Sequence, residues 1–311
     1  MNNKPVLITG SHRSGTTWVG RMIAQSPEVA YIHEPFSVSD APGKGICNTE
    51  FKYWFTYVTD DNDKNYYQPI KDMLAFKYNV IAALKTARNL SMVKQFWQEY
   101  RQFASYRHAG SIPLMKDPIA FFSAEWLQNK FAMNVIVLIR HPAAFVSSIK
   151  KLNWSHPFSH FLAQDLLMRN ILSPFQEEIT QYANSQPSII DQGILLWRII
   201  HHTILQYQRQ HPQWFFIRHE DLSREPLNNF AKIFQYCNLD LTADVINAIE
   251  EYSGAENPPD PDPPVGSEST LKRNSQLNIW NWKKRMTPSE ILYIRDRVEE
   301  VSKFFYSDAD W

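Results

Sequence analysis

Val6 to Trp18 reads VLITGSHRSGTTW, and no other stretch limits so strongly what this chain can fold into. Val6 to Thr9 is a short apolar run of strand length. Gly10 and Gly15 frame a turn, and a helix-period stretch, Thr17 to Gln25, follows directly. A strand that enters a glycine turn and leaves it as a helix aims backbone N–H groups and the positive end of a helix dipole at one point, an arrangement suited to phosphate. The same alternation recurs downstream. Apolar runs lie at Val29 to His33, Ile112 to Met115, Val135 to Ile139 and Trp214 to Ile217, with helical stretches at Phe122 to Lys130 and Pro142 to Lys151. The run NVIVLIRH is apolar almost throughout, as in a strand buried on both faces, and Pro142 suits the first turn of a helix. This pattern predicts an α/β fold with a central parallel sheet covered on both sides.

At 311 residues and 44% apolar content the chain can bury a full core, and one domain is expected over 1–311. Two segments break the alternation. Residues 40 to about 110 are rich in Tyr, Phe, Trp and Lys and read as an inserted helical lid over one end of the sheet. The proline-rich ENPPDPDPPVG can be neither helix nor inner strand, so about 256–275 is expected to be a mobile loop before a helix from Pro288 to about Tyr306. Lys plus Arg balance Asp plus Glu at 32 each, which gives no general footprint for nucleic acid or an anionic membrane. Any anion site must then be a local cluster. Cys47 and Cys237 form no CxxC pattern, which argues against a disulfide framework or zinc site and fits a cytoplasmic protein. An N-terminus without an h-region and the lack of any apolar run of spanning length point the same way.

Gly10-x4-Gly15-Thr16-Thr17 has the spacing of a Walker A loop, but Thr16 stands where the lysine would be. A nucleoside triphosphate site would lose its main charge there, whereas Arg13 supplies charge from another direction. Arg13-Ser14-Gly15-Thr16-Thr17-Trp18 resembles the 5′-phosphosulfate loop of sulfotransferases that use 3′-phosphoadenosine 5′-phosphosulfate (PAPS), usually (K/R)SGTT(W/L). A second element agrees. Arg140-His141-Pro142 at a strand end, with Ser148 eight residues beyond Arg140, resembles that family's 3′-phosphate motif. A guanidinium there can grip a phosphate through two hydrogen bonds and a helix hydroxyl can add a third. The motif style is closest to the tyrosylprotein, carbohydrate and bacterial branches.

The resemblance implies a P-loop NTPase-like three-layer α/β/α fold and sulfuryl transfer from PAPS, with 3′-phosphoadenosine 5′-phosphate (PAP) as product and no metal. It assigns the donor to Arg13, Ser14, Gly15, Thr16, Thr17, Trp18, Arg140 and Ser148. Lys272 and Arg273, ahead of Asn281-Trp282-Lys283 and Met286-Thr287-Pro288, resemble a segment that closes over the 3′-phosphate, although two extra residues intervene. Arg218-His219-Glu220-Asp221-Leu222 resembles the family's "YEDL", and a structural role in the sheet is expected for it. In-line transfer needs a base. Strand residues alternate in facing, so one of His33 and Glu34 should face the donor, and Glu34 matches the glutamate base of the tyrosylprotein and some carbohydrate enzymes. Met115-Lys116-Asp117-Pro118 looks like that branch's "KDP", which implies that Lys116 and Arg13 stabilise the transferring group.

The acceptor is barely legible. Phe51, Tyr53, Trp54, Phe55, Tyr57, Tyr66, Tyr67, Phe96 and Trp97 can stack a sugar or flat ring, or simply pack the insertion onto the core. His156, His160, His201 and His202 read as core or surface residues rather than metal ligands. A hydroxyl on a small natural product or saccharide is the expected acceptor. The rival readings are a P-loop kinase-like phosphotransferase and an inactive nucleotide-binding module of the same fold. Oligomeric state is not legible.

Overall fold

The computed structural model describes residues 4–38, 43–260 and 271–311. Five strands form one sheet: β1 (Val6–Gly10), β2 (Val29–His33), β3 (Ile112–Lys116), β4 (Asn134–Ile139) and β5 (Phe215–Arg218), in the order β2-β3-β1-β4-β5. Every neighbouring pair is parallel, with Val6 opposite both Leu114 and Asn134, and Ile32 opposite Met115. Each expected strand is present within a residue or two of its sequence limits.

Side-chain alternation divides the core into the two layers that flank the sheet. Val6 and Ile8 of β1, Leu114 of β3, and Ile136 and Leu138 of β4 point to one side. There they meet Trp18, Val19, Met22 and Ile23 of the helix Thr16–Ile23, and Phe230 and Phe234 of the helix Pro226–Cys237. Leu7, Met115, Val135, Val137 and Ile139 point to the other side. They pack on Phe145 and Val146 of the helix Pro142–Leu152, on the long helix Ile189–Gln210, and on Ile294 and Val298 of the helix Pro288–Ser302. This is the three-layer α/β/α arrangement. Thr287 begins that last helix with a reciprocal capping box to Glu290.

The connection from β2 to β3 contains the helices Tyr67–Leu74, Val80–Thr86 and Leu90–Ala109. Most of its aromatic rings are structural. Phe36 stacks on Phe51 with centroids 4.1 Å apart, Phe51 on Tyr66 at 5.3 Å, and Phe76 meets Phe103 edge-on at 5.7 Å. Of the loop expected at about 256–275, residues 261–270 lie outside the described residues. Its flanks are tied down: Arg273 N–H donates to Tyr252 C=O at 3.0 Å, and Asn281 Nδ2 to Pro259 C=O at 2.7 Å. No described helix is long and apolar enough to cross a membrane.

Candidate active site at the carboxyl ends of the strands

In a parallel sheet all strands end on the same edge, and ligands bind in the crevice beyond that edge. Here the crevice is a cavity of about 600 Å³, lined by residues that follow β1, β2, β3, β4 and β5 and by the segment after residue 271.

The turn after β1 is shaped by its glycines. A Cβ on Gly10, at φ 118°, would lie 2.4 Å from Leu138 C=O, and one on Gly15, at φ 90°, would lie 2.6 Å from His219 Nδ1. Only glycine allows this path. Ser14 donates its hydroxyl to Ser11 C=O inside the turn, so it shapes the loop and does not line the cavity. Arg13 adopts a left-handed backbone, φ 61°, uncommon for a side chain of this size. Among the described residues no side chain caps the helix Thr16–Ile23, whose first intrahelical bond is donated by Val19 to Gly15 C=O. The preceding N–H groups therefore lack intrahelical partners at the cavity edge. Thr16, Thr17 and Trp18 line the cavity, and Trp18 rests edge-on against Phe230, 5.3 Å between centroids.

The two phosphate-type motifs meet here although they are far apart in sequence: Arg13 Nε donates to Ser148 Oγ at 3.1 Å. Arg140 is held from behind. Its N–H donates to His201 Nε2 at 3.3 Å, and its C=O accepts from Trp197 Nε1 at 2.8 Å. Its Nε is buried without a hydrogen-bond partner among the described residues, 3.7 Å from Glu220 Oε1. Glu220 also accepts from His141 N–H at 3.1 Å and from Tyr306 O–H at 2.9 Å. The HEDL segment thus opens the helix His219–Arg224 beyond β5 rather than serving the sheet, and its carboxylate braces Arg140.

Arg273 and Arg285 complete a group of four guanidinium-bearing residues in the cavity with Arg13 and Arg140. Arg285 pairs with Asp260 at 2.5 Å. Burial, then the charge of Arg140, lowers the pKa of Arg13. Burial, then Arg13, brings Arg273 down to about 10, with Arg140 and Arg285 adding to the effect. Arg140 is lowered chiefly by burial, against the opposing pull of Glu220. Like charges held together out of water create an anion site. Lys272 lies apart, in an exposed ion pair with Glu251, and does not line the cavity.

At the β2–β3 side, Glu34 lines the cavity and His33 does not; His33 Nδ1 lies 3.1 Å from Tyr31 Oη. Glu34 has φ 39°, and its N–H donates to Lys116 C=O at 2.9 Å. Lys116 is fully buried, and its Nζ makes an ion pair with Glu34 from beneath. Burial lowers the Lys116 pKa, and Glu34 opposes that shift. Lys116 does not line the cavity, so it reaches the site through Glu34. Asp117 pins the turn by accepting from the N–H groups of Phe36 at 2.7 Å, Ile119 at 2.9 Å and Ala120 at 3.1 Å, and burial followed by the Glu34 charge raises its pKa to about 7. Arg285 and His12 carry no motif that singles them out in the sequence, and Glu220 lies in the HEDL segment, from which only a structural role in the sheet is expected. Arg285 lies inside the Trp282–Pro288 segment but between the residues that carry its resemblance. Among the described residues, no group of three or more His, Cys, Asp or Glu side chains could hold a metal ion.

The family model described as "Sulfotransferase family" matches residues 5–243. No curated protein matches the sequence. Solved structures similar to this chain include the sulfotransferase domain of the Synechococcus PCC 7002 olefin synthase, 17% identical, covering 98% of this chain and 96% of that one with a TM-score of 0.49. The sulfotransferase domain from the curacin biosynthetic pathway is 14% identical, covering 95% and 97% with a TM-score of 0.48. Mouse sulfotransferase SULT7A1, solved in complex with PAP, is 10% identical, covering 100% and 88% with a TM-score of 0.47.

Proposed function

The chain belongs to the sulfotransferase family, and from that premise we propose that it moves a sulfuryl group from PAPS to an acceptor hydroxyl. The observation that carries the reading is the cluster of Arg13, Arg140, Arg273 and Arg285 in one cavity beside an uncapped helix N-terminus. Such a group is matched by a ligand with anionic groups at two separated points. The residues fit it: Gly15, Thr16 and Thr17 line the cavity at the start of that helix, and the buried Arg140 Nε has no hydrogen-bond partner among the described residues. Arg13, Gly15, Thr16 and Thr17 would hold the 5′-phosphosulfate. Arg140, Ser148 and Arg273 would hold the 3′-phosphate.

The donor supplies a sulfuryl group already activated as a mixed anhydride with phosphate. The protein's part is charge and proton placement. Arg13 and the N–H groups of the helix Thr16–Ile23 face the developing negative charge, which stabilises a transition state by about 3 kcal/mol per well-aimed donor. Glu34 is the base that accepts the hydroxyl proton as the acceptor oxygen attacks. Lys116 is a positioning residue that fixes the Glu34 carboxylate through their ion pair.

Calorimetric titration with PAP in metal-free buffer tests this reading, with ATP and ADP as comparisons. PAP should bind, ATP and ADP far more weakly, and Arg140→Ala should abolish the preference. A preference for ATP with magnesium, or no nucleotide binding, would refute the assignment.

A further inference from the structure

One wall of the cavity is formed by rings and apolar side chains: Trp54, Phe55, Ile119, Trp154, His12 and His156. Phe55 joins the two imidazoles, its centroid 5.7 Å from His12 and 5.8 Å from His156. His12 also packs edge-on against Phe145 at 4.9 Å and Trp154 at 6.0 Å, and His156 leans on Phe161 at 4.6 Å. Both rings have an enclosed nitrogen, Nδ1 of His12 and Nε2 of His156, without a hydrogen-bond partner among the described residues. Burial, with the Arg13 charge second, brings His12 down to about 3, and burial, with His12 second, does the same to His156. Both rings are therefore neutral near pH 7, each offering one N–H donor and one lone-pair acceptor. Buried polar nitrogens in this state are costly unless something completes them.

Position adds to the chemistry. His12 immediately precedes Arg13, so a molecule resting on its ring lies next to the turn assigned to the donor. Trp154 and Leu152, 47% and 46% exposed, line the same cavity and present apolar surface to an incoming molecule.

We propose that His12 and His156 are the acceptor-recognition pair, taking an uncharged, hydroxyl-bearing ring that packs against Phe55 and Trp154. This rests on the sulfotransferase reading of the same cavity. A neutral imidazole pair matches hydroxyls, which both donate and accept. It does not match a carboxylate or phosphate, which needs donors on every side. The rings provide the flat faces on which a sugar or aromatic body stacks. Both histidines are specificity residues, and the base remains Glu34.

The test begins with a PAP titration, so that failure of the donor reading is recorded separately. PAP-saturated protein is then titrated with two uncharged probes, 2-naphthol and p-nitrophenyl β-D-glucopyranoside. Their acidic counterparts are 6-hydroxy-2-naphthoate and p-nitrophenyl β-D-glucuronide. At least one uncharged probe should bind, with its acidic counterpart weaker by about tenfold or more. His12→Phe and His156→Phe should each weaken the bound probe by about tenfold while PAP affinity stays within about threefold. Thermal melting with and without PAP identifies a misfolded variant, and His12→Asn and His156→Asn then replace it, with the same loss expected. The proposal is overturned if the acidic counterparts bind as well or better, if the histidine variants bind the probe as the parent does, or if neither uncharged probe binds PAP-saturated protein.

Discussion

His201 offers a direct check on how Arg140 is held. Its ring is fully buried and stacks on Trp197 with centroids 4.0 Å apart. Both nitrogens are engaged: Nδ1–H donates to Trp197 C=O at 2.9 Å, and Nε2 accepts from Arg140 N–H at 3.3 Å. That pattern requires the neutral ring, and burial lowers its pKa from an ordinary 6.5 to about 3. The unfolded chain therefore takes up this proton before the folded one does. The stability is present above the ordinary value and is lost progressively as pH falls from 6.5 towards 3. At pH 5 the gap from the ordinary value is about 1.5 units, which at about 1.4 kcal/mol per unit makes a loss of about 2 kcal/mol. His201→Phe keeps the shape but removes the titration, and at neutral pH it strands the Arg140 N–H at a cost of about 1–3 kcal/mol. Urea unfolding of both proteins at pH 7 and pH 5 gives four stabilities. The parent should lose about 2 kcal/mol more between the two pH values than the variant does, the other histidines cancelling in the comparison. Equal losses would refute a neutral, buried His201 and with it this account of how the Arg140 backbone is fixed.

Gly15→Ala combines a left-handed backbone with a Cβ 2.6 Å from His219 Nδ1, so it should destabilise the protein by about 1–2 kcal/mol from the backbone alone and weaken PAP binding in calorimetry. Glu34→Gln should lower kcat by about a hundredfold or more with PAP affinity little changed. Lys116→Met should lower kcat too, and the double variant should be no worse than Glu34→Gln alone, since Lys116 acts through that carboxylate. Arg273→Ala should weaken PAP by about 10- to 100-fold, whereas Lys272→Ala, whose side chain pairs with Glu251 outside the cavity, should leave it within about twofold.

The strands and the glycine turn after β1 were legible because their signals are local. A run such as NVIVLI is apolar on both faces only when helices cover both, and a glycine at each end of SHRS fits only a sharp turn. The helix Ile189–Gln210 carries no assignment in the sequence reading for the opposite reason. It buries Gly193 through Trp197 without a break, which blurs the 3.6-residue period that marks a half-exposed helix. Alternation along β2 leaves one of His33 and Glu34 facing the cavity but cannot say which. Nothing along the chain tells that Lys116 lies beneath Glu34 rather than over the donor, or that Arg273 turns inward while its neighbour pairs with Glu251. Arg285 gains meaning, and Glu220 its place behind Arg140, only from what folding brings together. Such convergence is a property of tertiary packing and leaves no period or spacing to read.

The segments that build the cavity contribute unequally, and this bears on how such a protein can diversify. Arg13, Arg140, Ser148 and Arg273 come from the turn after β1, the β4–helix junction and the C-terminal segment, whereas Trp54 and Phe55 come from the long connection between β2 and β3. Mutational drift in that connection can reshape one wall of the cavity while the arginine cluster stays in place. Lineages, or an engineer, could therefore exchange the β2–β3 connection to explore new ligands beside an inherited arginine cluster, keeping Phe36 and Phe51 to seat each replacement on the core.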